Sequence, residues 1–129
     1  MRALTVRAMS DTNKQLSGRF TDLFTTGDRA TAEEILSADF VLHLADGDVD
    51  GRDAFQEFLA GYRGRFPGAH SVVEDQISEA DKVVTRWGAH VAPNFVLKGV
   101  TIERIADGRI VEVWVSKDDL GLSRQMGAV

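Results

Sequence analysis

The sequence predicts one α+β domain spanning residues 1–129, and three observations point there. The apolar pattern keeps a helical period up to about residue 70 and a strand period after it, changing once. Apolar residues make up 43% of a 129-residue chain, enough for one core with an internal pocket and too little for a second domain. No repeat, linker or low-complexity stretch divides it.

Residues 1–10 read as a flexible start. After Ser10-Asp11-Thr12, the spacing of Leu16, Phe20, Leu23 and Phe24 predicts a first helix over about 11–25, ended by Thr26-Gly27-Asp28. Asp28 can cap a short second helix through Ile35 and Leu36. A brief strand over 39–44 and an Asp/Gly-rich loop over 45–51 follow, with Asp46, Asp48 and Asp50 expected to cap the next helix. Phe55, Phe58, Leu59, Tyr62 and Phe66 mark that third helix, stopped at Pro67-Gly68. Four strands are expected at about 70–79, 82–91, 95–105 and 109–116, forming an antiparallel meander. The last turn can be a two-residue loop or a three-residue loop with Gly108 left-handed. The three-residue loop sorts the faces better. It pairs Glu103 with Val111, Thr101 with Val113 and Gly99 with Val115 on one face, and leaves Val100, Ile102, Ile110 and Trp114 on the other. Both faces are then apolar enough to need cover.

Composition excludes several functions. Lys and Arg number 15 against 20 Asp and Glu, a formal charge of −5 with no basic run, which argues against nucleic acid. No apolar stretch approaches a membrane span, and Arg7 cuts the N-terminal one short of a signal core, so the expected location is cytoplasmic. The absence of cysteine rules out thiolate-ligated metal and thiol catalysis. His43, His70 and His90 lack a metal-binding spacing, and Asp46, Asp48 and Asp50 lack the offsets of a calcium loop, so neither metal nor cofactor is expected.

Five stretches, in order and spacing, resemble the SnoaL-like polyketide cyclases of the nuclear transport factor 2-like superfold. They are Ala38-Asp39-Phe40-Val41 with His43, Gly51 through Phe66-Pro67, Val73-Glu74-Asp75 leading to Arg86-Trp87, Arg104 through Trp114, and Asp118 through Gly127. The resemblance implies a cone-shaped α+β barrel, with three N-terminal helices packed in the concave face of a bent antiparallel sheet. It also implies a deep apolar pocket for a metabolite and a homo-oligomer. It implies no single reaction, because the fold hosts several. In the aldol cyclases of this family an aspartate acts as general acid/base, and the lined-up tail puts Val115 there. By the same register Thr101 stands for a pocket histidine, Gly99 for a glutamine and Leu42 for an asparagine. A valine moves no proton, so standard aldol cyclisation is not expected. The connection around Pro93 is shorter than usual, implying a trimmed or more open rim.

Three residues are catalytic candidates. Glu103 lies among valines on the expected inner face, where desolvation would suit it to proton transfer, or else it reaches water near the turn. His43 can serve as acid, base or donor at the pocket mouth, or be satisfied by backbone. Asp118 can reach in from beyond the last strand, or cap a terminal helical turn. Phe20, Phe24, Phe55, Phe58, Tyr62 and Trp87 are candidate aromatic walls or plain core, with Leu42, Thr101, Val113 and Val115 completing the expected substrate surface. The function expected is cofactor-free proton transfer on an apolar, polyketide-like metabolite, giving cyclisation, dehydration or isomerisation. The alternative is a ligand-binding or scaffolding protein without turnover. A homodimer is expected through Val100, Ile102, Ile110 and Trp114, with Val100 opposite Trp114.

Overall fold

The structure, a computed structural model, describes residues 2–127, with side chains from residue 7 onward. Helix α1 runs Arg2–Thr26, starting well before the expected residue 11; Met1 of the expected flexible start lies outside the described residues. Gly27, at φ 63°, ends it by donating its N–H to Leu23 O at 2.8 Å, a left-handed cap that glycine adopts without strain. Asp28 then caps α2 (Arg29–Ile35), accepting from Ala30 N and from the Thr31 hydroxyl.

The 45–51 segment is not a plain loop. Strand β1 (Leu36–Leu44) turns back as a hairpin into β2 (Gly47–Asp50), with His43 opposite Asp48. Helix α3 (Arg52–Arg65) is therefore capped by Gly51 with no side-chain bond, and the aspartates do not cap it. Strands β3 (His70–Glu79), β4 (Lys82–Ala92), β5 (Phe95–Ala106) and β6 (Arg109–Lys117) form the expected meander. A fourth helix, α4 (Asp119–Gln125), adds to the three expected. Gln125 holds it in place, both accepting from Val96 N and donating to Val96 O at 2.8 Å.

The sheet order is β2-β1-β6-β5-β4-β3. Its β1/β6 pair is parallel and its two edges stay unpaired, so the sheet is mixed and open rather than an antiparallel closed barrel. The last turn also differs from expectation. Ala106 pairs with Arg109 across Asp107-Gly108, whose φ values of 52° and 74° are those of a two-residue turn with both central residues left-handed. A bulge then shifts the register between Arg104 and Ile105, so Glu103 faces Val113, Thr101 faces Val115 and Gly99 faces Lys117. Ile110 consequently points inward and is fully buried, and Trp114 opposes Ile102 rather than Val100.

Helices α1 and α3 fill the concave face. Phe20, Phe40 and Phe55 meet in the core, with Phe55 stacked on Phe20 at 5.6 Å and edge-on to Phe40 at 5.2 Å. That cluster lies next to the cavity, with Phe20 common to both. On the convex face Val100, Ile102 and Trp114 are 36–38% exposed, and no described element covers them.

Candidate functional site

Beside the phenylalanine cluster, helices α1 and α3 and the sheet leave a small apolar cavity that opens to solvent. Alternation along each strand fixes what faces it: Leu42 and Leu44 from β1, Trp87 and Ala89 from β4, Leu97 and Thr101 from β5, Val115 and Lys117 from β6. Phe20, Thr21 and Phe24 from α1 and Phe58 and Tyr62 from α3 close the other side. The wall is overwhelmingly apolar and aromatic, with a few hydroxyls, as suits a small ring-bearing molecule. Of the expected substrate surface, only Val113 is absent from the wall; it is fully buried below it, opposite Glu103. Phe55 belongs to the phenylalanine cluster.

Glu103 is 0% exposed, so it does not reach water at the sheet edge. It sits one inward position below Thr101, which lines the cavity and whose hydroxyl donates to Glu103 Oε1 at 2.7 Å. Thr85 donates to Oε2 at 3.4 Å, and the Ser17 hydroxyl lies 2.7 Å from Thr85 Oγ1. Gln76 Nε2 donates to that same oxygen at 3.4 Å. Gln76 thus donates to Thr85, Thr85 and Thr101 donate toward the carboxyl group, and the Ser17 hydroxyl joins the same cluster. These are neutral dipoles and include no cation. Burial therefore dominates and pushes the Glu103 carboxyl above its ordinary value of 4.5, while the three hydroxyls pull it partly back. Burial likewise raises the Tyr62 phenol, with Ser71 as the opposing hydrogen-bond partner.

The other two candidates lie elsewhere. Leu42 faces the cavity, so His43 faces out, and the structure removes it from the pocket. Its Nδ1 is 2.8 Å from Asp48 Oδ1 and its Nε2 is 2.6 Å from Glu112 Oε2, while the ring stacks on Trp114 at 5.4 Å and 19°. Arg104 donates twice to Glu112 Oε1, at 3.0 and 3.1 Å. An ionised carboxylate only accepts, so both bonds are made together when both imidazole nitrogens carry protons. The hydrogen bonds to Glu112 and then Asp48 hold His43 above its usual value, and His43, followed by Arg104, holds Glu112 below its own. Asp118 is exposed and accepts from Gly121 N at 2.8 Å, capping α4 without lining the cavity.

Several wall and support residues went unread in the sequence. Lys117 follows Val115 by two on the same strand, so alternation alone would have placed it inward. Ser17 and Thr21 share the helical face of Phe20 and Phe24, where small polar residues drew no attention.

The architecture is shared widely. IdmH of Streptomyces antibioticus, described as a candidate polyketide cyclase, superposes with a TM-score of 0.77 at 23% identity, covering 89% of this chain and 98% of its own. A candidate polyketide cyclase of Bacillus cereus gives 0.79 at 24%, covering 92% and 82%. TsrD of Streptomyces laurentii gives 0.78 at 22%, covering 92% and 97%. At these identities the likeness is one of fold. No curated protein sequence matches the chain. The SnoaL-like domain pattern does match, over residues 18–113, from the α1 face that holds Ser17's neighbours to the β6 valine opposite Glu103. That span is most of the chain, and the protein belongs to the SnoaL-like family.

Proposed function

We propose that the protein is a cofactor-free enzyme of small-molecule secondary metabolism, working in the cytoplasm, that moves protons on an apolar ring-bearing substrate. The observation that carries this reading is Glu103: a fully buried carboxyl group joined by a 2.7 Å hydrogen bond to Thr101, which lines the cavity. A carboxyl whose value burial raises takes a proton more readily than a solvated one. Glu103 does not itself line the cavity, so the transfer passes through Thr101. A C–H proton of the ligand goes to Thr101 Oγ1 as that hydroxyl's own proton goes to Glu103 Oε1, and reversal at a second ligand atom completes an isomerisation, a ring closure or a dehydration. Val115, standing where aldol cyclases of the family carry an acid, argues against their mechanism and against activity on their anthracycline-type precursors.

The test uses 2-tetralone, a flat ketone with acidic α-protons, and follows its α-deuteration in D₂O by NMR. Exchange above the buffer rate should fall by about 100-fold or more in Glu103→Gln and in Thr101→Val, and stay within about twofold in His43→Ala. Binding of the ketone with no exchange beyond buffer would favour the second reading, a ligand-binding protein without turnover. The same Val115 is the observation behind that reading.

The assembly is proposed as an isologous homodimer through the convex face, with Val100, Ile102 and Trp114 at its centre and Ile110 no longer part of it. Arg104 and Glu112 flank that centre as an ion pair.

A further inference from the structure

Three cross-strand partners stand in a row at the cavity mouth: Trp87 on β4, Gly99 on β5 and Lys117 on β6. A side chain at position 99 would normally separate the other two. Here a β-carbon on Gly99 would collide with Cζ2, Cη2 and Cε2 of Trp87, so the indole occupies the space that glycine leaves. Its Nε1, bonded to Cε2, is carried into the same row. That N–H is buried and has no hydrogen-bond partner among the described residues, a rare condition for an indole donor. Lys117 is the one formally charged residue among those described as lining the cavity. Its remaining tie is a 3.5 Å contact with the exposed Asp119, a pair of the kind that is worth little in water. Both residues line one apolar cavity whose described wall holds no carboxylate. Glu103, the nearest buried acid, faces Thr101 below.

We propose that Trp87 Nε1–H and Lys117 Nζ form a clamp for the oxyanion of an apolar acid, so that the ligand is a ring system bearing a carboxylate held at the mouth. This rests on the reading of the cavity as a small-molecule pocket. The rings lie against Phe24, Phe58 and Tyr62 while the carboxylate takes the orphaned indole proton and the ammonium charge. Glycine at 99 is the specificity device, because any larger residue expels the indole from the row.

The experiment titrates the ¹⁵N-labelled protein with 2-naphthoate and, separately, with the neutral 2-naphthalenemethanol, following the two indole N–H signals and assigning Trp87 by Trp87→Phe. The acid should bind about tenfold tighter than the alcohol, the worth of one charge-assisted hydrogen bond. It should move the Trp87 proton downfield and leave Trp114 unchanged. Lys117→Gln, at the rim and safe for folding, should bring the two affinities within about twofold, and Gly99→Ala should abolish the Trp87 shift. Equal affinity for the two probes, or an acid preference surviving Lys117→Gln, overturns the clamp while leaving the pocket intact. If neither probe binds, the pocket reading falls and the clamp with it.

Discussion

Replacing Glu103 with glutamine should stabilise the fold at alkaline pH, and the size of the gain follows from the groups around it. The side chain keeps its shape, so no cavity opens. What changes is the charge: once ionised, the native carboxylate is fully buried with no cation beside it, and burying such a charge costs several kcal/mol before its hydrogen bonds are counted. Only the 2.7 Å bond from Thr101 is short enough to be much stronger to a charge than to an amide, by about 1 kcal/mol; the 3.4 Å bond from Thr85 adds little. The net gain is about 1–3 kcal/mol, or roughly 3–9 °C in Tm for a domain of this size. The sign depends on pH. A carboxyl raised in the folded state leaves stability intact below its unfolded value near 4.5 and erodes it as pH climbs through the folded value. Differential scanning calorimetry of wild type and Glu103→Gln between pH 4 and 9 should therefore show curves that coincide in acid and diverge in base. A variant that melts lower than wild type at every pH would refute the reasoning, showing that the carboxylate's hydrogen bonds outweigh its desolvation.

His43, on the other face of the sheet, has the same pH sign from a different cause: its raised value makes the contribution of its two carboxylate bonds complete below about 6.5 and lost as pH rises through the folded value. Calorimetry of His43→Gln should show a Tm deficit near pH 6 that shrinks toward pH 9. Phe55→Ala removes the ring shared by Phe20 and Phe40 and should cost about 3–5 kcal/mol by urea denaturation. Trp114→Asp should weaken the dimer by about 2 kcal/mol or more, read by sedimentation across a concentration series. A monomeric wild type at micromolar concentration would overturn that interface.

The strands from residue 70 onward were legible because turn residues punctuate them at Ala80-Asp81, Pro93-Asn94 and Asp107-Gly108. The pairing of the last two was not. A three-residue loop and a two-residue loop followed by a bulge each add one residue to a strand, so both give the same parity beyond the bulge. Glu103, Thr101, Val113 and Val115 were therefore placed on the correct face with the wrong partners, and Ile110, which lies before the bulge, was placed on the wrong face. The β2 hairpin hid in a stretch of aspartates and glycines whose composition reads as loop; it pairs because β1 offers it an edge. His43 was misread for a plainer reason. Period-two alternation from Leu42 turns it outward, whatever motif surrounds it. The helical spacing that found Phe20 and Phe24 also contained Ser17 and Thr21, but polar residues on an apolar helix face reveal their purpose only when the partner strand is known.

The open sheet leaves two strand borders on a chain that must survive at cellular concentrations without joining its neighbours. One border, β2, is four residues long and carries Asp48 and Asp50. The other, β3, has its register broken between Val73 and Asp75 with Glu74 in the gap, and α1 packs along it. Short length, acidic side chains, an irregularity and a helical cover are the recognised defences against edge-to-edge growth. Ile77, 65% exposed on β3, is where that protection is thinnest. Shortening α1 from its N-terminus would uncover that border, and the first consequence would be turbidity at high concentration while the isolated molecule kept its fold.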